Sequence, residues 1–145
     1  MSSWLFATDG TIVPLILRLT LAVVMFPHGA QKVLGWFGGH GLKGTLAFFA
    51  KSGFPAPLAL LALAAEFLGP IGLALGLLTR VTALGIACVM LVAIVTVHTP
   101  HGFFMNWMGN QKGEGFEFHL LALGIALALI IGGAGLWSLD AMLAR

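Results

Sequence analysis

The sequence predicts an all-α integral membrane protein, a four-helix bundle forming a single transmembrane domain over residues 1–145. Composition is the first reason: 59% of the residues are hydrophobic, 8% are charged, and mean hydropathy is +1.04. A soluble domain carries about 25% charged residues and needs them to cover its surface. Order along the chain is the second. Four apolar stretches approach the roughly 20 helical residues needed to cross a hydrocarbon core of about 30 Å, and Gly, Pro or charge separates them.

The first stretch covers 12–34. No basic segment precedes it, Arg18 lies within it and no small-residue cleavage pattern follows, so it is expected to stay as a span rather than leave as a signal. The second and third, 58–78 and 81–98, meet in a tight turn at Thr79 and Arg80 and form a hairpin. The fourth covers 117–135. Between the first two, residues 41–53 alternate Leu42, Leu46, Phe48 and Phe49 with Lys43 and Lys51. That pattern fits either a short helix lying in the membrane interface or an ordinary loop anchored by Phe. Four spans return both termini to one side, here the terminal face, and put the longer loops 35–57 and 99–116 on the opposite, loop face. Trp4 and Trp137 then fall at the terminal face and Trp36 and Trp107 at the loop face, as an interfacial aromatic belt requires.

Several function classes drop out. The only cysteine, Cys88, permits no intrachain disulfide, no CxxC pair and no cysteine-rich zinc site, and its apolar mid-helix setting reads as packing. Seven scattered Lys and Arg with a net charge of +2 make no basic stripe for nucleic acid. Phosphate loops, HExxH pairs and serine triads are missing, and no metal site is predicted. Among five histidines, His28 and His98 share a depth on different spans, but that spacing alone gives haem little support.

Ionisable groups inside a membrane need a partner or a wet cavity. At 1.5 Å per residue Arg18 lies about 9 Å inside the terminal face and Glu66 about 13 Å inside the loop face, which predicts an Arg18–Glu66 ion pair. Such a pair either serves chemistry or only fixes which helices meet. Helical phase puts Glu66 with Ala62, Gly69, Gly72 and Gly76, and Glu117 with Gly124, Ala128 and Gly132, on small-residue faces that favour close helix contact, within the chain or with a second copy.

Polar groups multiply toward the loop face: His28, Lys32, His98, His101, Glu117 and His119. With Glu66 beneath them they predict a cup, roofed by Phe103, Phe104, Asn106 and Trp107. His119 lies about 200° around the helix from Glu117, so both cannot face inward. Lys32 and His119 are the members expected to snorkel to water. Cations, carboxylates and imidazoles beside apolar walls suit a proton-coupled headgroup such as a quinone. Glu66, His28 and Lys32 would handle its protons, with Arg18 holding Glu66 ionised and the remaining cup residues binding around it.

One ordered set of pieces carries a family signature: Arg18 followed by His28-Gly29-Ala30-Gln31-Lys32, Glu66 with Gly76-Leu77-Leu78-Thr79-Arg80, His101-Gly102-Phe103-Phe104, Glu117, and Gly133-Ala134-Gly135-Leu136-Trp137-Ser138-Leu139-Asp140. In this order and spacing, over nearly the whole chain, they resemble the DoxX family of small four-helix membrane proteins. The family takes its name from similarity to a subunit of a thiosulfate:quinone oxidoreductase. The resemblance implies a multi-pass protein of the cell inner membrane, a component of a quinone-linked oxidoreductase system that acts with a soluble redox partner or as a homo-oligomer. The single cysteine speaks against a thiol relay. Two other classes fit the same charges: a small-solute or proton-coupled permease, and a membrane scaffold recruiting a soluble partner at the loop face.

Overall fold

The computed structural model describes residues 2–144, and every regular element among them is helical. In order these are α1 (Ser2–Phe6), α2 (Val13–Val33), α3 (Gly41–Lys51), α4 (Ala56–Leu75), α5 (Thr79–Ala93), α6 (Glu117–Gly132) and α7 (Leu139–Leu143). A π turn, Ile94–His98, and a 3-10 turn, Thr99–His101, prolong α5. Helix α2 packs on α4, α4 on α5, α5 on α6 and α6 on α2. Leu21, Met25, Leu73, Ile86, Met90 and Leu129 fill the centre. Val23, Leu61, Leu121 and Ile131 point outward, as lipid-facing positions would.

Three helices, Val13–Val33, Ala56–Leu75 and Thr79–His101, are long and apolar enough to cross a membrane. The 16 residues of α6 are as apolar, but at 1.5 Å each they span only about 24 Å. The predicted stretch 117–135 ends early because Gly133 and Gly135 turn to positive φ, 77° and 71°. The chain there folds back on the start of α2, where Leu136 N donates to Thr11 O at 2.9 Å. The turn after α4 also differs from expectation. It is made by Gly76, Leu77 and Leu78, and Thr79 and Arg80 already open α5. Gly76 is needed twice over: its φ is +63°, and a Cβ there would overlap Ser138. Of the two readings of 41–53 the helix holds, and Thr45 Oγ1 donates to Lys32 O at 3.1 Å to fasten it.

The small-residue face holds for α4, where Glu66, Gly69 and Gly76 are buried. It fails for α6. Gly124 and Ala128 are exposed, and the packed face is His119, Ala122, Leu123, Ala126 and Leu129. Ala122 and Ala126 are the small residues on that packed face. Cys88 is likewise exposed on the outer face of α5, so it does no packing within the chain.

At the terminal end α1 and α7 touch, so both ends of the described chain lie together. Charged side chains bond the helix ends there. Arg18, 1% exposed, donates from Nε to Ala134 O at 3.0 Å and from Nη1 to Leu73 O and Ala74 O at 3.0 and 2.7 Å. Its Nη2 reaches Leu136 O at 3.2 Å and Trp137 O. All five guanidinium N–H groups are thereby used, two of them on the last turn of α4, where Leu73 O also accepts from Gly76 N and Ala74 O has Arg18. Arg80 does the same for α6, donating to Ile130 O and Ile131 O at 2.8 and 3.0 Å, and it also ties in Trp4 O and Ala7 O. Asp140 closes the opposite kind of end. Its two carboxylate oxygens accept from Leu78 N and Thr79 N at 2.7 and 2.8 Å, where α5 begins.

The expected Arg18–Glu66 ion pair therefore does not form. Helical side chains lean toward their own helix N-terminus. Helix α2 starts at the terminal end, so Arg18 leans that way; α4 starts at the loop end, so Glu66 leans the other way. Depth alone brings the two Cα positions near each other, and the lean separates the charges.

Candidate functional site

The same rule assembles the loop end. Lys32 sits in the last turn of α2 and leans back into the protein, while Glu66 leans up toward it, and the two form an ion pair between Lys32 Nζ and Glu66 Oε2. It is the one salt bridge found among the described residues. The Glu66 side chain is 6% exposed and that of Lys32 37%. Oε2 meets the ammonium but makes no contact with hydrogen-bond geometry.

Two sequence features bring the helices close here. Pro70 has no N–H, so the Glu66 carbonyl four residues earlier loses its helical donor. Gly29 of α2 lies against that carbonyl, and a Cβ on Gly29 would overlap it. Lys32, one turn after Gly29, is thereby set over the Glu66 carboxylate.

His28 is exposed beside this pair, its ring 6.0 Å from that of Phe118 on α6. His119, expected at the surface, is instead 7% exposed, and its Nδ1 has no hydrogen-bond partner. His98 stands against it with ring centroids 4.0 Å apart. His28, Lys32 and His98 all lie within electrostatic reach of His119. Of the two residues that cannot both face inward, His119 does, and Lys32 turns its head to Glu66 rather than to water.

The predicted roof belongs elsewhere. Glu117 is only half-buried and spends Oε1 on the loop, accepting from Met105 N at 2.8 Å and Trp107 Nε1 at 3.2 Å. Asn106 is a loop staple, bonded to Gln111 at both ends of its amide. The His101 ring packs on Gly113, and a cleft of about 450 Å³ opens between Pro100–Phe104 and Gln111–Lys112 without touching Glu66, Lys32 or His28. Phe103 packs against Phe104 and Phe116, while Phe104 and Trp107 are 67% and 84% exposed. These side chains do not cover the ion pair, because the bonds from the loop to Glu114 and Glu117 hold it against the start of α6. Arg18, as shown above, lies at the other end. Among the described residues no group of three or more His, Cys, Asp or Glu is disposed to hold a metal ion.

The loop-end residues and the terminal clasp both fall on the signature pieces, and comparison decides the family. The DoxX family model matches residues 13–99. The chain belongs to the DoxX family. A relative from Bacillus subtilis (strain 168), named "Putative oxidoreductase CatD", is 33% identical over 115 residues, 79% of this chain and 76% of that protein. A second, from Haemophilus influenzae and named "Uncharacterized protein", is 30% identical over 141 residues, 90% of this chain and 83% of its own. No solved structure matches the chain significantly. DoxX membership and the three apolar helices make this a membrane protein.

Sequence reasoning on this DoxX chain missed His119, Arg80 and Asp140 as organising groups. The signal for His119 was present: it shares a face with Ala122, Ala126 and Leu129, the i, i+3, i+7 pattern of a packed helix.

Proposed function

We propose that this DoxX protein is a multi-pass four-helix bundle of the cell inner membrane that serves a quinone-linked oxidoreductase system. In this reading α6 crosses as the fourth span, its shortfall met by the segment folded back at Gly133 and by local thinning of the bilayer. Glu66, Lys32 and His28 receive the quinone headgroup from the loop end.

The observation that carries this reading is a contrast between the two ends. Arg18 uses every N–H it has and, among the described residues, Thr79 Oγ1 is the one unpartnered buried side-chain atom at its end, whereas at the loop end Glu66 Oε2 has only the Lys32 ammonium and His119 Nδ1 has no partner. An unsatisfied buried polar group costs about 1–3 kcal/mol, so His119 Nδ1 beside a buried charge pair fits a ligand headgroup or the water that precedes it. The residues suit a quinone: Lys32, partly exposed, can donate to a carbonyl oxygen, and His28 beside Phe118 offers a second donor. Glu66 can hold or release a proton as Lys32 moves. A bound quinone supplies two-electron, two-proton redox chemistry. The oxidoreductase name of the Bacillus subtilis relative agrees with this reading. The permease reading is weaker, because the arginines at the terminal end are already bound to backbone carbonyls, which leaves little to line a polar path to that face.

Titration of detergent-purified protein with a short-tailed quinone tests the proposal. Saturable binding is expected for wild type, weakened about tenfold or more in Lys32→Met and His28→Ala, from the loss of a charged or imidazole donor, and unchanged in Cys88→Ala. Absence of saturable binding, or equal affinity in all four folded proteins, contradicts it.

A further inference from the structure

His119 and His98 lie outside the ion pair, and the proposed function gives neither a part in moving protons. His119 is nearly sealed, and its Nδ1 is unpartnered. His98 is half-buried at the end of the π turn, open to the loop face, with Nδ1 2.8 Å from Glu114 O. A carbonyl can only accept, so Nδ1 carries the hydrogen and neutral His98 presents Nε2 as a lone pair. That nitrogen can take a proton from solvent and release it from the same atom. With 4.0 Å between centroids and 40° between planes the rings are in contact, and with no hydrogen bond between their nitrogens a proton passes from one to the other through a water.

The groups facing His119 are His98 from the extension of α5 and His28 and Lys32 from α2, with Glu66 of α4 beyond Lys32. No hydrogen bond joins His119 to Glu66. His119 Nδ1 has no partner and Glu66 Oε2 has only the Lys32 ammonium, so each can bond a water.

We infer that His98 and His119 form a proton inlet from the loop face to the Glu66–Lys32 pair. One proton passes from water or buffer to His98 Nε2, then to His119. His119 accepts at one nitrogen as it releases from the other, and the proton reaches the Glu66 carboxylate through water. No electron moves, and the donor is left as its conjugate base. The inference rests on the reading of Glu66 as a proton-exchanging group.

A pH jump followed by rapid-scan infrared spectroscopy of the purified protein, with no quinone added, tests it. The band of protonated Glu66 is assigned by its loss in Glu66→Gln. In His98→Ala and His119→Gln the band should rise at least about tenfold more slowly to the wild-type amplitude. Added imidazole should restore the rate in His98→Ala, whose vacated position is open to the loop face. Wild-type rates in both variants, a change of amplitude alone, or a wild-type Glu66 band that never appears would overturn the inlet. His98 is half-exposed, so His98→Ala carries the test even where the buried substitution fails to fold. Failure of quinone to bind would remove the proposed function and leave this rate measurement intact.

Discussion

Arg18→Leu is expected to yield almost no folded protein in detergent. The substitution strips donors from five carbonyls on two separate segments, of which Leu73 O keeps Gly76 N, and the site is 1% exposed, so water cannot replace them without opening that end. Each orphaned buried carbonyl costs about 1–3 kcal/mol, and a whole domain has only about 5–15 kcal/mol of stability. Two or three such losses are enough. Arg18→Lys should recover a minor part, because three N–H groups on one ammonium cannot reach Ala134, Leu136 and Trp137 as well as the end of α4. Adding Glu66→Gln to Arg18→Leu should rescue nothing, since the two do not meet. Monodisperse yield and thermal unfolding measure all three. Recovery in the double variant would show that Arg18 and Glu66 are partners and that the capping account is wrong.

The second large effect is expected at the loop end, and it is asymmetric. Lys32→Met leaves the Glu66 carboxylate buried and unpaired, which costs about 3 kcal/mol. Glu66→Gln should cost less, about 1 kcal/mol, because Lys32 is partly exposed and its long stem lets the ammonium turn to water. The double variant should regain most of the wild-type stability, as replacement of a buried pair by neutral groups commonly does. Thermal unfolding in one detergent compares the four proteins. A double variant no more stable than Lys32→Met would mean that the Lys32–Glu66 contact is not the interaction that holds these charges.

These two ends differ in how far the sequence reveals them. Apolar length located α2, α4 and α5 to within a few residues, because burial in lipid leaves a long, continuous signal. The end of α6 was harder. Gly133 and Gly135 look like more of a small-residue helix, and only their fold-back onto Thr11 shows that they leave it. Glu66, Lys32 and His28 stood out as polar groups in apolar surroundings, and the structure does set them close together. Their partners did not stand out. Arg18 was matched to Glu66 by depth, which ignores that side chains on antiparallel helices lean in opposite directions. A packed Gly124–Ala128 face puts His119 at the surface, whereas the packed face is that of His119, Ala122 and Ala126. Asp140 lies 60 or more residues from the amides it caps, a pairing that no local pattern encodes. An aromatic stretch such as Phe103 to Trp107 reads as a roof over the cup, but the loop's bonds to Glu114 and Glu117 determine where it goes.

In the proposed function, charges at the terminal end hold the fold while those at the loop end hold a quinone. Lipid extraction and mass spectrometry of protein purified from its native membrane tests it most directly. The account predicts a quinone in near-stoichiometric amount with wild type and its loss from the folded Lys32→Met/Glu66→Gln double variant. No quinone with wild type, or the same amount with the double variant, would contradict it.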